Sequence, residues 1–147
     1  MYCRSSNIVI KLEKRYFDLV RLASMDSDFD FQANQIVCLE YEGVYLYAEV
    51  IQVVTSRQLC WVRPLMLVNL ISDDEHTLLD LREGADLLWP LSLFRVALDT
   101  EVIPFLMELH SLDDTDGKDT ILAHRKLREF IGKIWQAYPS VFPPSAV

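Results

Sequence analysis

The chain has 147 residues, of which 51% are hydrophobic and 24% charged, and its formal net charge is -8. That balance excludes intrinsic disorder, and the length suits one domain, 1–147, that buries a core without disulfide or metal staples. The acidic excess disfavours partners with phosphate backbones.

Charge is unevenly spread. Lys11, Lys14, Arg15 and Arg21 mark the first segment, and Lys118, Arg125, Lys126, Arg128 and Lys133 mark the last. Acids cluster at Asp26/Asp28/Asp30, Asp73-Asp74-Glu75 and Asp113-Asp114-Thr115-Asp116. Such runs read as solvated loops and helix faces.

In chain order, residues 5–24 predict a helix, capped by Ser5 or Ser6, with Ile8, Leu12, Tyr16, Leu19 and Ala23 at helical spacing. An acidic loop follows over 25–34. Residues 35–41 alternate, Glu42-Gly43 punctuates, and 44–54 alternate again, as in a tight hairpin. If Tyr41 and Val44 flank the turn, 39 faces 46 and 37 faces 48. One side then holds Val37, Leu39, Tyr41, Val44, Leu46, Ala48 and Val50. The other holds Ile36, Cys38, Glu40, Tyr45, Tyr47 and Glu49, and a one-residue slip would exchange the two sides.

Thr55-Ser56-Arg57 turns the chain into a third strand over 58–63, which Pro64 should end or place at an edge. Residues 65–71 are apolar and ambiguous. Two short strands are expected over 77–82 and 86–89, with a break at Trp89-Pro90 and a last strand at Phe94-Arg95-Val96. Asp99 or Thr100 should cap a helix through Leu109, with Pro104 close to its first turn. After a loop, Asp119 should cap a final helix to about Ala137, with Leu127, Ile131, Ile134 and Tyr138 on one face. Prolines 139, 143 and 144 mark a tail over 139–147.

Motifs for chemistry are missing. The cysteines Cys3, Cys38 and Cys60 form no C-x-x-C pair, and His76, His110 and His124 have no metal spacing. Asp113-Asp114-Thr115-Asp116-Gly117 suggests a calcium loop and fails: with Gly117 sixth, Leu112 would be the first ligand and Ala123 the twelfth. No nucleophile elbow, P-loop or dinucleotide fingerprint is present. These observations predict no catalytic residue, no metal and no cofactor. Cys38 and Cys60 read as small hydrophobes, which suits a reducing cytoplasm. The chain shows no apolar run of membrane-spanning length, which leaves peripheral membrane contact open.

The stretches EGVYLYAEVIQVV, RQLCWVRPLMLV and DLLWPLSLFRVALDTEVIPFL resemble small conserved cyanobacterial proteins of unsettled function. Element order over 35–97 also resembles SH3-like and Tudor-like small barrels. This resemblance implies an aromatic groove beside acidic residues, for which Tyr45, Tyr47, Trp61, Glu40 and Glu49 have suitable types.

The expected fold is therefore α+β: a five-stranded, SH3-like antiparallel β-barrel over 35–97, flanked by an N-terminal helix and by C-terminal helices over 99–138. The expected function is a non-enzymatic, protein-binding adaptor or assembly factor. Its partner surface would be Tyr45, Tyr47, Glu40, Glu49 and Trp61, since aromatics give large contact area at low rotamer cost. A homodimer through the same face fits the composition too. A single-stranded RNA-binding barrel, stacking bases on Tyr45 and Tyr47, is the alternative. A small enzyme without a recognisable motif is the third reading.

Overall fold

The computed structural model describes residues 31–112 and 117–142, with side chains of the second stretch described from Thr120 onward. The expected helix over 5–24, the calcium-like segment 113–116 and the last five residues of the tail lie outside the described residues.

Six strands form one antiparallel sheet. They are β1 (Ile36–Tyr41), β2 (Val44–Val54), β3 (Leu59–Leu70), β4 (His76–Asp80), β5 (Leu87–Pro90) and β6 (Arg95–Val96). Two helices follow, α1 (Asp99–Ser111) and α2 (Gly117–Ala137). The strand order is β4-β3-β2-β1-β6, and β5 pairs separately with β3. No pairing joins β6 to β4 or β5 among the described residues, so the sheet is open. The closed barrel expected from element order is not formed by these pairings. The reason is local: β6 pairs with β1 over only Val37 and Cys38. The preceding 3-10 turn, Leu91–Leu93, takes the chain out of strand geometry.

The β1–β2 hairpin has the register that alternation requires, with Leu39 opposite Leu46, Val37 opposite Ala48, and Tyr41 opposite Val44. Its turn places Glu42 and Gly43 at φ 50° and 78°. Positive φ at both central residues matches the twist of the flanking strands.

Pro64 does not end β3. The strand runs through it to Leu70, so the ambiguous segment after Pro64 is its second half. Tyr47 opposes Met66 while Ala48 opposes Pro64, which leaves Leu65 as an extra bulged residue. A bulge is where a strand tolerates a residue with no N–H to give the ladder. A second irregularity leaves Ile51 unpaired between Val50 and Gln52. The bends let β3 pair with β5 through its first half and with β4 through its second. The expected strands near 77–82 and 86–89 therefore exist, and both use β3 as their partner.

Each face of the sheet carries its own apolar cluster. Val37, Leu39, Leu46, Ala48, Val50, Cys60 and Val62 pack with Ala123, Leu127, Phe130 and Ile134 of α2. These helix residues recur at spacings of three and four, the stripe an amphipathic helix buries. Cys38, Tyr45, Tyr47, Met66 and Val68 face the other way and pack with Val102 and Leu109 of α1. The result is a sheet with one helix on each face. Phe142 is also buried, and its ring meets those of Trp89 and Trp135, so the first residues of the expected tail are anchored.

α2 also abuts the turn after β4. A Cβ built on Gly84 would lie 2.5 Å from Nε2 of His124. That nitrogen is buried with no hydrogen-bond partner among the described residues, so His124 is wedged against the turn. We expect Gly84→Ala to lower stability by about 1–3 kcal/mol through overpacking. In a His124→Ala background the cost should fall below half of that, read as the shift in urea midpoint.

Candidate functional site

The five residues singled out in the sequence share one face of the sheet, and α1 divides them. Tyr45 and Tyr47 lie in the cluster under α1, 8% and 1% exposed. Glu40 lies beside them. Trp61 lies outside that cluster and is exposed, and Glu49, half-buried, stands opposite Arg63 on β3.

Under α1, the aromatic rings stack. Tyr45 and Tyr47 have centroids 6.4 Å apart and planes 12° from parallel, and Phe105 of α1 sits 5.9 Å from Tyr47. The hydroxyl of Tyr47 donates to Glu101 Oε1 at 2.7 Å. Arg95 donates to both oxygens of the same carboxylate, at 2.6 and 2.9 Å. Its guanidinium also lies 3.9 Å from Glu40. The backbone N–H of Leu98 donates to Glu101 Oε2 at 3.2 Å, while the N–H of Glu101 returns a bond to the Leu98 carbonyl at 3.0 Å.

This explains where α1 begins. Neither Asp99 nor Thr100 is the cap: Leu98 holds that place, and Glu101 at the third helical position caps the backbone from inside. One carboxylate thus ties β2, β6 and the start of α1 together. Pro104 is the sixth residue of the helix and not in its first turn, so the Thr100 carbonyl has no N–H from it.

The electrostatics follow from burial and this pairing. Burial pushes the Tyr47 and Tyr45 hydroxyls well above the ordinary tyrosine range, and the carboxylates of Glu101 and Glu40 push the same way. Burial also pushes the Cys38 thiol far up, and Cys60 to about 11. Both cysteines therefore stay thiols at neutral pH and are poor nucleophiles. For Glu101, burial alone would raise the carboxyl. The bonds and charge of Arg95, with the bonds from Tyr47 and Leu98, outweigh burial and hold it below the ordinary range. The cluster is thus a satisfied lock and not a poised acid or base.

Beyond α1, Trp61 and Leu88 are opposite each other across β3 and β5. They are 39% and 54% exposed. Asp86 fixes the rim of this patch: Oδ2 accepts the Trp61 indole N–H at 3.0 Å, and Oδ1 accepts Arg63 Nε at 3.2 Å. Glu49 is opposite Arg63 in the β2–β3 register, but Arg63 is paired with Asp86 and Glu49 has no ion pair among the described residues. Sequence reasoning missed Arg95 and Glu101, since only the fold brings them to Tyr47. It also missed Leu88, for which a signal existed: 86–89 is apolar on both alternating sides at its end, so both faces had something to contact.

Among the described residues no group of His, Cys, Asp and Glu is arranged to hold a metal ion. No described helix is long and apolar enough to cross a membrane. No protein-family model, curated protein or solved structure matches the chain.

We expect Tyr47→Phe to cost about 1.5–3 kcal/mol, the range for a hydrogen bond to a charged group. The lock also sets acid stability. The depressed Glu101 carboxyl means that the unfolded chain takes up this proton first as pH falls. Its contribution is complete above the ordinary carboxylate range and is lost as pH falls through the depressed folded value. Asp80, depressed by the bonds and charge of Arg82 against the opposing effect of burial, acts with the same sign. Thermal melts between pH 3 and pH 7 should show Glu101→Gln less stable at neutral pH and less sensitive to acid than the parent.

Proposed function

We propose that this chain is a non-enzymatic protein-binding module, an adaptor or assembly factor, that docks its partner on the part of the sheet face where Trp61 and Leu88 are exposed. The observation that carries this reading is the Trp61–Leu88 pair. It is a rigid apolar pair left in solvent, with the indole held by Asp86. A tryptophan held in place loses little entropy on binding, which is why such residues concentrate interface energy.

The surface favours a partner of particular chemistry. An apolar side chain would lie on Trp61 and Leu88, and a neighbouring Lys or Arg would reach Glu49, whose charge no described residue neutralises. The net charge of -8 supports the same sign of partner. A cytoplasmic setting fits the two buried free thiols, Cys38 and Cys60. A reading in which Tyr45 and Tyr47 stack bases draws no support here, because both rings are buried under α1.

The test is capture of partners from native lysate on the parent protein and on Trp61→Ala, with and without nuclease, followed by titration of the proteins identified. We expect Trp61→Ala to weaken a nuclease-resistant partner by about 2 kcal/mol or more, roughly 30-fold. Its melting temperature should stay within a few degrees of the parent. Equal binding by parent and variant would overturn the assignment, and loss of all partners on nuclease treatment would favour RNA.

A further inference from the structure

The two helices cover opposite faces of the sheet, and each turns an apolar row to solvent. On α1 the row is Ile103 and Met107, one turn apart, with Leu98 just before it, and Met107 is 70% exposed. On α2 it is Ile121 and Leu122 at one end and Trp135 at the other, with Ile121 64% exposed. Between them lie Arg125, Arg128 and Gly132, so that 121, 125, 128, 132 and 135 form one stripe at spacings of four and three.

The charges on these two outer faces are opposite. The outward acids of α1 are Asp99, one turn before Ile103, and Glu108, and the helix has no Lys or Arg, while Glu101 points inward to Arg95 and Tyr47. The acidic turn Asp73-Asp74-Glu75 leads directly into His76, whose ring packs on Phe105 and whose Nε2 meets Glu108 at 2.7 Å. α2 from residue 120 onward carries Arg125, Lys126, Arg128 and Lys133 against Glu129 alone. Lys126 is paired with Glu129, while Arg125 and Arg128 have no ion pair among the described residues. A depression of about 430 Å³ lies against Ile121, Arg125, Arg128 and Glu129.

Gly132 supplies a separate observation. Among the described residues a Cβ there would meet nothing within 4 Å, so neither their packing nor the backbone conformation calls for glycine. In an exposed helix interior glycine costs about 1 kcal/mol relative to alanine. A missing side chain between Arg128 and Trp135 leaves a notch that a side chain from another helix can enter.

We infer that a second copy of this chain docks here, with the acidic apolar face of α1 on one copy seated against the basic apolar stripe of α2 on the next. The two faces belong to different elements on opposite sides of the sheet, so the contact is heterologous. A heterologous contact repeats, giving rings or open chains rather than a closed dimer. The contact is separate from the Trp61 surface, which both copies keep. Its ionic part weakens as salt screens the exposed arginines.

Sedimentation of the full chain across concentration tests this directly. The average mass should rise past that of a dimer at low salt and fall as salt is added. Met107→Lys disables the α1 face and Ile121→Glu the α2 face, and each variant alone should remain monomeric. An equimolar mixture of the two should form a dimer and stop there, because one intact α1 face remains to meet one intact α2 face. Gly132→Gln should raise the urea midpoint, since it improves the helix, yet weaken association about tenfold by filling the notch. A parent that stays monomeric, single variants that still associate, or a mixture that yields no dimer would overturn the inference. So would Gly132→Gln that raises stability and leaves association unchanged.

Discussion

The Glu101 carboxylate is the contact on which the arrangement of this face depends. It accepts from Tyr47 on β2, from Arg95 on β6 and from the backbone N–H before α1. A carboxylate with this many donors holds its charge through partial burial, because its lone pairs are filled and a guanidinium opposes it at close range. Its position at the third residue of the helix makes the side-chain bond and the helix start one event. α1 therefore begins at one place and lies in one direction. Everything it covers becomes core, and what it fails to cover becomes surface.

The division has a functional consequence. Tyr45 and Tyr47 have the residue types of a recognition surface, and their rings stack as such surfaces do. Their burial under Phe105, Val102 and Leu109 makes them part of the packing of the protein. Trp61 has the same chemistry on the same face and remains in solvent, because α1 meets the sheet over Tyr45, Tyr47, Met66 and Val68 and not over β5. In the proposed reading the buried tyrosines fix the sheet and the exposed tryptophan meets the partner. The bulges at Ile51 and Leu65 matter equally. They bend β2 and β3 so that the first half of β3 leaves its β4 side and presents Trp61 beside Leu88.

The outer faces of the helices belong to the same economy of surfaces. Each helix buries one stripe against its own face of the sheet. The opposite stripe on each is not purely polar, as a solvated helix would be. Opposite charges on the two outer stripes make each a better match for the other than for itself. That favours a repeating contact over a two-fold one.

Much of this was legible in the chain, and the legible part is local. Alternation through 36–50 settles which residues share a face, since a slip of one residue would send Val37, Leu39 and Leu46 to the wrong side. Glu42-Gly43 announces a turn with positive φ, and the spacing of Leu127, Ile131, Ile134 and Tyr138 announces a helix with one apolar side, although Tyr138 falls just past the helix end and is exposed. Pro64 misled because proline is read as a strand breaker. Only its partner strand shows that it stands at a bulge, where its missing N–H does little harm. The closed barrel misled because element order says which strands exist and not whether the last one reaches its neighbour. Residue types could propose Tyr45, Tyr47 and Trp61 together. The choice among them rests on where a helix lands some fifty residues later, and that is set by Arg95 and Glu101 meeting Tyr47. Periodicity and turn chemistry act between neighbours in sequence, so the sequence by itself determined the strands, the register and the two faces. Coverage of a face depends on contacts between residues far apart in the chain, so only the tertiary structure decided which aromatics became core and which remained surface.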